Sequence, residues 1–214
     1  RNEITGRGRS MRHYKRPLTI GRANLDYRLD NHHSFNLNYL LSRIGNDRYD
    51  EVDTDFEASN DILAKHVTGF SYNQSLLEEK MSNTFFVKNY INHLNIRQTD
   101  LSSITGSKDV KGSITKKYWG YGIGSRYTAI EPLSIKISYE HSVRLPLARE
   151  LLGNGTTIYA NVALKPESSD NINLGIFGTW HPAPGHTLYY EANGFLRYVD
   201  DYIQATVETK EGMM

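Results

Sequence analysis

Cysteine is absent from the 214 residues, so the fold forms without disulfides and without thiolate metal sites. No stretch approaches roughly 18 consecutive apolar residues, and the sequence therefore encodes no transmembrane helix. Strands of a membrane barrel alternate and leave the same flat hydropathy profile, so a membrane is not excluded. A surplus of one charge is missing as well: 25 Lys and Arg stand against 24 Asp and Glu, giving +1 and no global attraction to nucleic acid. Mean hydropathy is −0.56, low for a chain with a large buried core. No secretory leader is visible at the start, which fits a processed chain or a piece of a longer one.

What the chain does have is tyrosine, 15 residues against 7 Phe and 2 Trp, set into period-2 alternation. Eight segments read as strands: 18–29, 34–44, 65–75, 82–96, 115–129, 133–144, 170–181 and 186–200. In 34–44, Phe35, Leu37, Tyr39 and Leu41 oppose Asn36, Asn38 and Ser42. In 133–144, Leu133, Ile135, Ile137 and Tyr139 oppose Ser134, Lys136, Ser138 and Glu140. Segment 82–96 has apolar residues on both faces, Phe85, Val87 and Ile91 against Phe86, Tyr90 and Leu94, and its faces cannot be assigned from the pattern.

The connections alternate in length. Short ones fall at 30–33, 76–81, 130–132 and 182–185, long ones at 45–64, 97–114 and 145–169. In an up-and-down antiparallel sheet this puts every short turn at one end and every long loop at the other, the asymmetry of outer-membrane barrels. Segments of about 11–15 residues exceed ordinary globular strands and suit a tilted bilayer crossing. Tyr27, Tyr127 and Trp180 sit near short turns, where an aromatic girdle belongs. Tyr139, by the rise per residue and strand tilt, lies about 18 Å higher, near the opposite girdle. With eight strands, residues 1 and 214 both fall on the long-loop side. Complete bacterial barrels keep their termini on the other side, so an internal slice of a larger barrel is expected.

Residues 138–176 carry a denser signal. A strand ends at Arg144-Leu145-Pro146, a turn follows at Glu150-Leu151-Leu152-Gly153, and Asn161-Val162-Ala163-Leu164-Lys165-Pro166-Glu167 leads into the next strand. In order and spacing this resembles the C-terminal barrel region of TonB-dependent outer-membrane receptors, and 83–90 and 118–127 resemble that family's barrel strands. The resemblance covers about 17–207. It implies an all-β fold: about eight strands of a transmembrane barrel of about 22 strands closed by an N-terminal plug, with residues 1–214 forming part of the barrel domain and the plug absent. It also implies a function, TonB-energised uptake of a scarce nutrient such as iron–siderophore, haem or cobalamin, in the cell outer membrane. The partners implied are outer-membrane lipid, the plug and remaining strands of the parent chain, TonB through that plug, and a small nutrient ligand. Arg144, Leu145, Pro146, Glu150, Gly153, Leu164, Lys165, Pro166 and Glu167 are expected to be structural marks of the family.

Other signals are weaker. Asp47, Asp50, Glu51, Asp53, Asp55, Glu57 and Asp61 crowd into 46–61 and could hold Ca²⁺. EF-hand spacing fails, because Ala58 and Ala64 occupy the Gly and final-ligand positions, so a solvated loop is the better reading. The basic opening stretch, Arg1 to Arg16, could attract lipopolysaccharide or another anion. Gly120, Gly122 and Gly124 lie in a strand and not before a helix, which removes a dinucleotide site; they are expected to face the lumen, where another backbone could approach. His32-His33, His181 and His186 read as turn residues. No nucleophile motif or Ser/His/Asp set is visible, so no enzymatic activity, cofactor, metal or nucleic-acid binding is expected. The long loops are expected to line a ligand vestibule, with Tyr49, Phe56, Arg149 and Tyr159 as candidate contacts. The alternative is a soluble all-β module that binds a glycan or protein through loops on one edge.

Overall fold

The computed structural model describes residues 3–5, 8–10, 12–52, 59–99, 109–130, 132–152 and 161–204. Strands β1 (Glu3–Thr5) and β2 (Gly8–Ser10) pair only with each other. The main sheet holds β3 (Arg12–Lys15), β4 (Leu18–Arg28), β5 (His33–Asp50), β6 (Ser59–Leu76), β7 (Met81–Thr99), β8 (Asp109–Ile130), β9 (Leu133–Arg144), β10 (Glu167–Ala183) and β11 (His186–Asp200). From β4 to β11 each strand pairs antiparallel with the next, an uninterrupted meander. β3 and β4 share one flank of β5. Pro17 separates them: it has no N–H to donate to the ladder, but its carbonyl accepts the Gly45 N–H at 2.9 Å. Among the described residues, neither β11 nor the β3/β4 flank pairs on its outer side, so the sheet is an open arc.

Each of the eight segments read from the sequence becomes one of β4–β11. The boundaries agree at the short-turn end and differ at the other. β5 runs on to Asp50 and β6 starts at Ser59, pairing Arg48 with Ser59. β7 reaches Thr99 and β8 starts at Asp109, pairing those two residues. Most of the expected loops 45–64 and 97–114 is therefore paired strand. The physical reason is that a ladder needs only backbone partners. In these extensions polar residues such as Asn46 and Asp61 are buried beside Leu63, so side chains stop alternating although pairing continues.

The register aligns the apolar residues of all eight strands. Tyr27, Phe35, Tyr72, Phe85, Ile123, Tyr139, Ile172 and Leu196 form one cross-strand row. One residue along, on the other face, the row reads Asp26, Asn36, Ser71, Phe86, Gly122, Glu140, Asn171 and Arg197. A one-residue slip would exchange the two faces. The ambiguous segment is thereby assigned: Phe85, Val87 and Ile91 lie on the apolar face, Phe86, Tyr90 and Leu94 on the polar one. The apolar face is exposed: Leu25 is 63% accessible, Trp119 59% and Ile137 54%.

The short turns use local chemistry. Asp30 Oδ1 accepts the N–H groups of His32 at 2.7 Å and His33 at 2.8 Å. These bonds, that from His32 first, hold the Asp30 carboxyl below its ordinary pKa of 3.8. Gly185 takes a φ of 79° between Pro184 and His186, a conformation closed to most side chains. The turn between β6 and β7 is strained: Leu77, Glu78 and Glu79 have φ values of 55°, 55° and 68° without a glycine among them.

Candidate functional site

The polar face is a wall of paired charges. Lys88 Nζ on β7 lies 3.0 Å from Glu140 Oε1 on β9. They meet across β8, where Gly120 stands opposite Lys88 and Gly122 opposite Glu140. The same device recurs two strands on. Lys136 Nζ on β9 reaches Glu191 Oε1 on β11 at 2.6 Å, passing over Gly175 of β10. A Cβ on Gly175 would sit 2.5 Å from Lys136 Cε. Arg126 and Lys136 also lie over the Phe177 ring, at 5.3 and 5.5 Å from its centroid.

Gly120 and Gly122 thus have a use that differs from the expected close approach of another backbone, whereas a Cβ on Gly124 would meet only Ser138 Cβ at 3.9 Å. A Cβ on Gly122 would fall 2.5 Å from the Phe86 ring and 2.6 Å from the Tyr139 carbonyl. At Gly120 the neighbours are the His141 carbonyl at 3.1 Å and the Tyr90 ring at 3.3 Å. Side chains and backbone of the sheet itself already occupy the space.

The connection between β9 and β10 forms the other half of the site. After Arg144 the chain turns onto the polar face. Pro146 is fully buried, and its carbonyl accepts a hydrogen bond from Lys65 Nζ. Helix α1 (Ala148–Leu152) buries Leu151 and Leu152 against Leu63, Leu94 and Ile96 of β6 and β7, with Ala148, Val162 and Leu164 packed around them. This is the hydrophobic cluster of the described residues, and it lies inside the mouth of the sheet at the loop end. Pro146, Leu151, Val162, Leu164 and Pro166 face Asn92, Leu94, Ile114, Lys116 and Tyr118 across a narrow cleft.

The motif residues hold this segment in place. Arg144 Nη2 donates to Glu150 Oε1 at 2.9 Å, while Glu150 Oε2 accepts the Leu147 N–H at 2.7 Å. Glu150 is the third residue of the helix reaching back to its cap, half of a capping box. Burial pushes the Glu150 carboxyl up, but the Leu147 N–H and the Arg144 guanidinium outweigh it and hold the group below its ordinary pKa of 4.5. Glu167 is buried and accepts from Arg197 Nη2 at 3.5 Å and from the Ile203 N–H at 3.4 Å. Lys165 Nζ lies 3.8 Å from Asp201 Oδ1 at the surface. Leu145 is half-buried, Leu164 packs on the cluster, and Gly153 lies outside the described residues.

The two candidate contacts among the described residues, Tyr49 and Arg149, do not converge. Tyr49 belongs to the apolar side of β5, stacked on His13 with ring centroids 4.8 Å apart. Arg149 is exposed on α1, and Phe56 and Tyr159 lie outside the described residues. The described carboxylates of the acidic stretch do not gather either. Asp61 is buried beside Asn46, whose Nδ2 donates to it at 3.4 Å. Glu51 meets His13 Nε2 at 3.1 Å, and Asp53, Asp55 and Glu57 lie outside the described residues. Among the described residues no group of three or more potential ligands forms a metal site. Pattern reading put Phe86 and Tyr90 on one face of 82–96 but gave no role to them, nor to Tyr118 and Phe177, which share the polar face. Their parity against the apolar row was the available signal.

An antiparallel meander with one exposed apolar face, one charged face and its tight turns gathered at one end is a segment of transmembrane β-barrel wall. Residues 93–212 match the family described as TonB dependent receptor-like, beta-barrel, and the chain belongs to that family. Among solved structures it resembles the copper transporter OprC, with a TM-score of 0.70 and 13% identity over 91% of this chain and 31% of that one. It also resembles a double mutant of the Serratia marcescens hemophore receptor HasR in complex with its hemophore HasA and heme, with a TM-score of 0.58 and 14% identity over 91% of this chain and 34% of that one. The chain thus spans about a third of the length of these structures. No curated protein matches its sequence.

Proposed function

We propose that this chain is part of the barrel domain of an outer-membrane, TonB-dependent receptor for energised uptake of a scarce nutrient. The single observation that carries this reading is the eight-strand apolar row set one residue from a polar row. Such a sheet fits lipid on one side and a wet lumen on the other, and in lipid every backbone polar group must be paired. In this reading residues 1–214 contribute wall and mouth, while the plug that engages TonB and the remaining strands belong to the parent chain. The family supports a receptor role, and no catalytic step is assigned to any residue here.

The substrate class we infer is a metal-bearing or similar nutrient complex, such as an iron–siderophore, haem or cobalamin. The ladder of paired charges Lys88–Glu140 and Lys136–Glu191 suits a polar permeation surface or plug contact, and the infolded segment with α1 narrows the mouth above it. A soluble glycan- or protein-binding module would leave Leu25, Trp119 and Ile137 in water with no partner.

The test is expression of the full-length receptor followed by membrane fractionation and nutrient-limited growth. Recovery in the outer membrane, with growth on one of these complexes only when TonB is present, is expected. A monodisperse protein that needs no detergent, or growth independent of TonB, would overturn the reading.

A further inference from the structure

We propose that Arg43, His66, His93 and Lys117 bind the phosphorylated headgroup of an anionic lipid at the loop-end margin of the apolar face. The inference rests on the reading that this face meets a membrane. Two cross-strand rows carry it. Leu41, His66, Ile91 and Lys117 form one, and Arg43, Ala64, His93 and Thr115 the next. Register is unbroken from β5 to β8, so all eight side chains share the face of Leu37, Phe70, Val87 and Tyr121. The adjoining row toward the turns is Tyr39, Thr68, Asn89 and Trp119. Successive members of this set are diagonal neighbours about 7–8 Å apart, and the patch spans four strands, on the order of 14 Å. That is the size of a headgroup and not of a single coordinated ion.

Three further observations point to an anionic amphiphile. Arg43 and Lys117 are exposed, and neither has a carboxylate partner among the described residues. The two histidines use only Nδ1 within the sheet, His66 with Tyr39 Oη at 2.7 Å and His93 with Thr115 Oγ1 at 2.8 Å, which leaves Nε2 available on each. Among the described side chains on this face of β5–β8, the one carboxylate is Asp47, four residues beyond Arg43 and opposite Lys15. The turn end of the same face, by contrast, carries no Lys or Arg on β4–β11. A phosphate would meet Arg43, Lys117 and the two Nε2 atoms while its acyl chains lie along Leu41, Ile91 and Trp119. Free phosphate would gain nothing from those apolar neighbours, so a lipid is the occupant assigned.

The test uses full-length receptor, stripped of lipid in detergent and equilibrated with dioleoyl phosphatidic acid or dioleoyl phosphatidylcholine; bound lipid is counted by native mass spectrometry. Wild type should prefer phosphatidic acid. Arg43→Gln with Lys117→Gln should reduce that preference by roughly tenfold or more, His66→Gln with His93→Gln by less, and the charge-preserving Arg43→Lys with Lys117→Arg should retain it. Lys80→Gln, at the turn end, should leave it unchanged. A photoreactive phosphatidic acid should label wild-type peptides containing these positions, a readout independent of how the variants fold. Retained preference when all four Gln substitutions are combined, labelling elsewhere, or full displacement by equimolar inorganic phosphate would overturn the proposal. A receptor that resides in the outer membrane yet shows no lipid preference would defeat this inference alone, whereas a receptor absent from membranes would defeat the functional reading beneath it.

Discussion

The guanidinium of Arg144 grips Glu150 at 2.9 Å across the end of β9, and the other oxygen of Glu150 caps the helix that follows. One carboxylate thus fixes both the angle at which the strand ends and the start of α1. Glu150→Ala should cost about 1–2 kcal/mol locally, most of it from the cap. The ion pair adds little, because Arg144 is 43% exposed. Amide hydrogen exchange at Leu151 and Leu152 should accelerate while the strands keep their protection. Unchanged exchange at α1 would show that the buried leucines alone hold it. Leu151→Ala should cost more, about 2–5 kcal/mol, by opening a cavity against Leu63, Leu94 and Ile96.

The same carboxylate sets a pH dependence. The folded pKa of Glu150 is depressed, so its contribution is present above the ordinary value of 4.5 and is lost as pH falls through the lower folded value. Protection of the α1 amides should therefore be flat from neutral pH down to about the ordinary value of 4.5 and fall as pH drops from there through the lower folded value. In Glu150→Gln this acid-induced step should disappear. Loss of protection between pH 7 and pH 5 would contradict the assignment.

Leu37 distinguishes a membrane wall from a soluble sheet. It is 43% accessible, flanked on its own face by Leu25 and Phe70. In water, Leu37→Arg at so exposed a site would change stability by less than about 0.5 kcal/mol. In lipid the same change should cost about 2–4 kcal/mol. Asn38→Arg, one residue along on the polar face, should be tolerated. Denaturant unfolding of the full receptor in lipid vesicles measures both, and equal effects at the two positions would count against a lipid-facing side.

The left-handed turn between β6 and β7 offers a gain. Glu79 holds a φ of 68° with a side chain that disfavours it. Glu79→Gly should stabilise the hairpin by about 1 kcal/mol, seen as slower exchange at the paired residues Leu76 and Met81. A loss of stability would mean that the Glu79 side chain makes a contribution larger than the strain.

How much was legible follows from what alternation can encode. The strands were readable wherever lipid-facing and lumen-facing residues differ in polarity, as at Phe35, Leu37 and Tyr39 against Asn36 and Asn38. β7 was not, because Phe86 and Tyr90 cover glycines on β8 and so place large apolar rings on the polar face. The strand extensions to Asp50 and Thr99 were hidden for the opposite reason, since both of their faces are polar. Of the motif, Arg144-Leu145-Pro146 and Lys165-Pro166-Glu167 were visible as a pattern, but nothing local showed that they clamp an infolded segment. The partners of that segment, Lys65, Leu63 and Leu94, come from strands far away in the chain.

Sequence alone determined the eight strands of the meander, the two faces of all of them but β7 and the gathering of short turns at one end, because side-chain direction in a strand depends only on parity. Tertiary structure decided the rest. Register brought Lys88 to Glu140 across a glycine and laid Arg43, His66, His93 and Lys117 on one margin. It also turned the apparent outer loop after β9 into a buried lining of the mouth. These outcomes depend on which strand lies beside which and at what offset. The chain specifies that through pairing of all its strands at once and not at any single stretch.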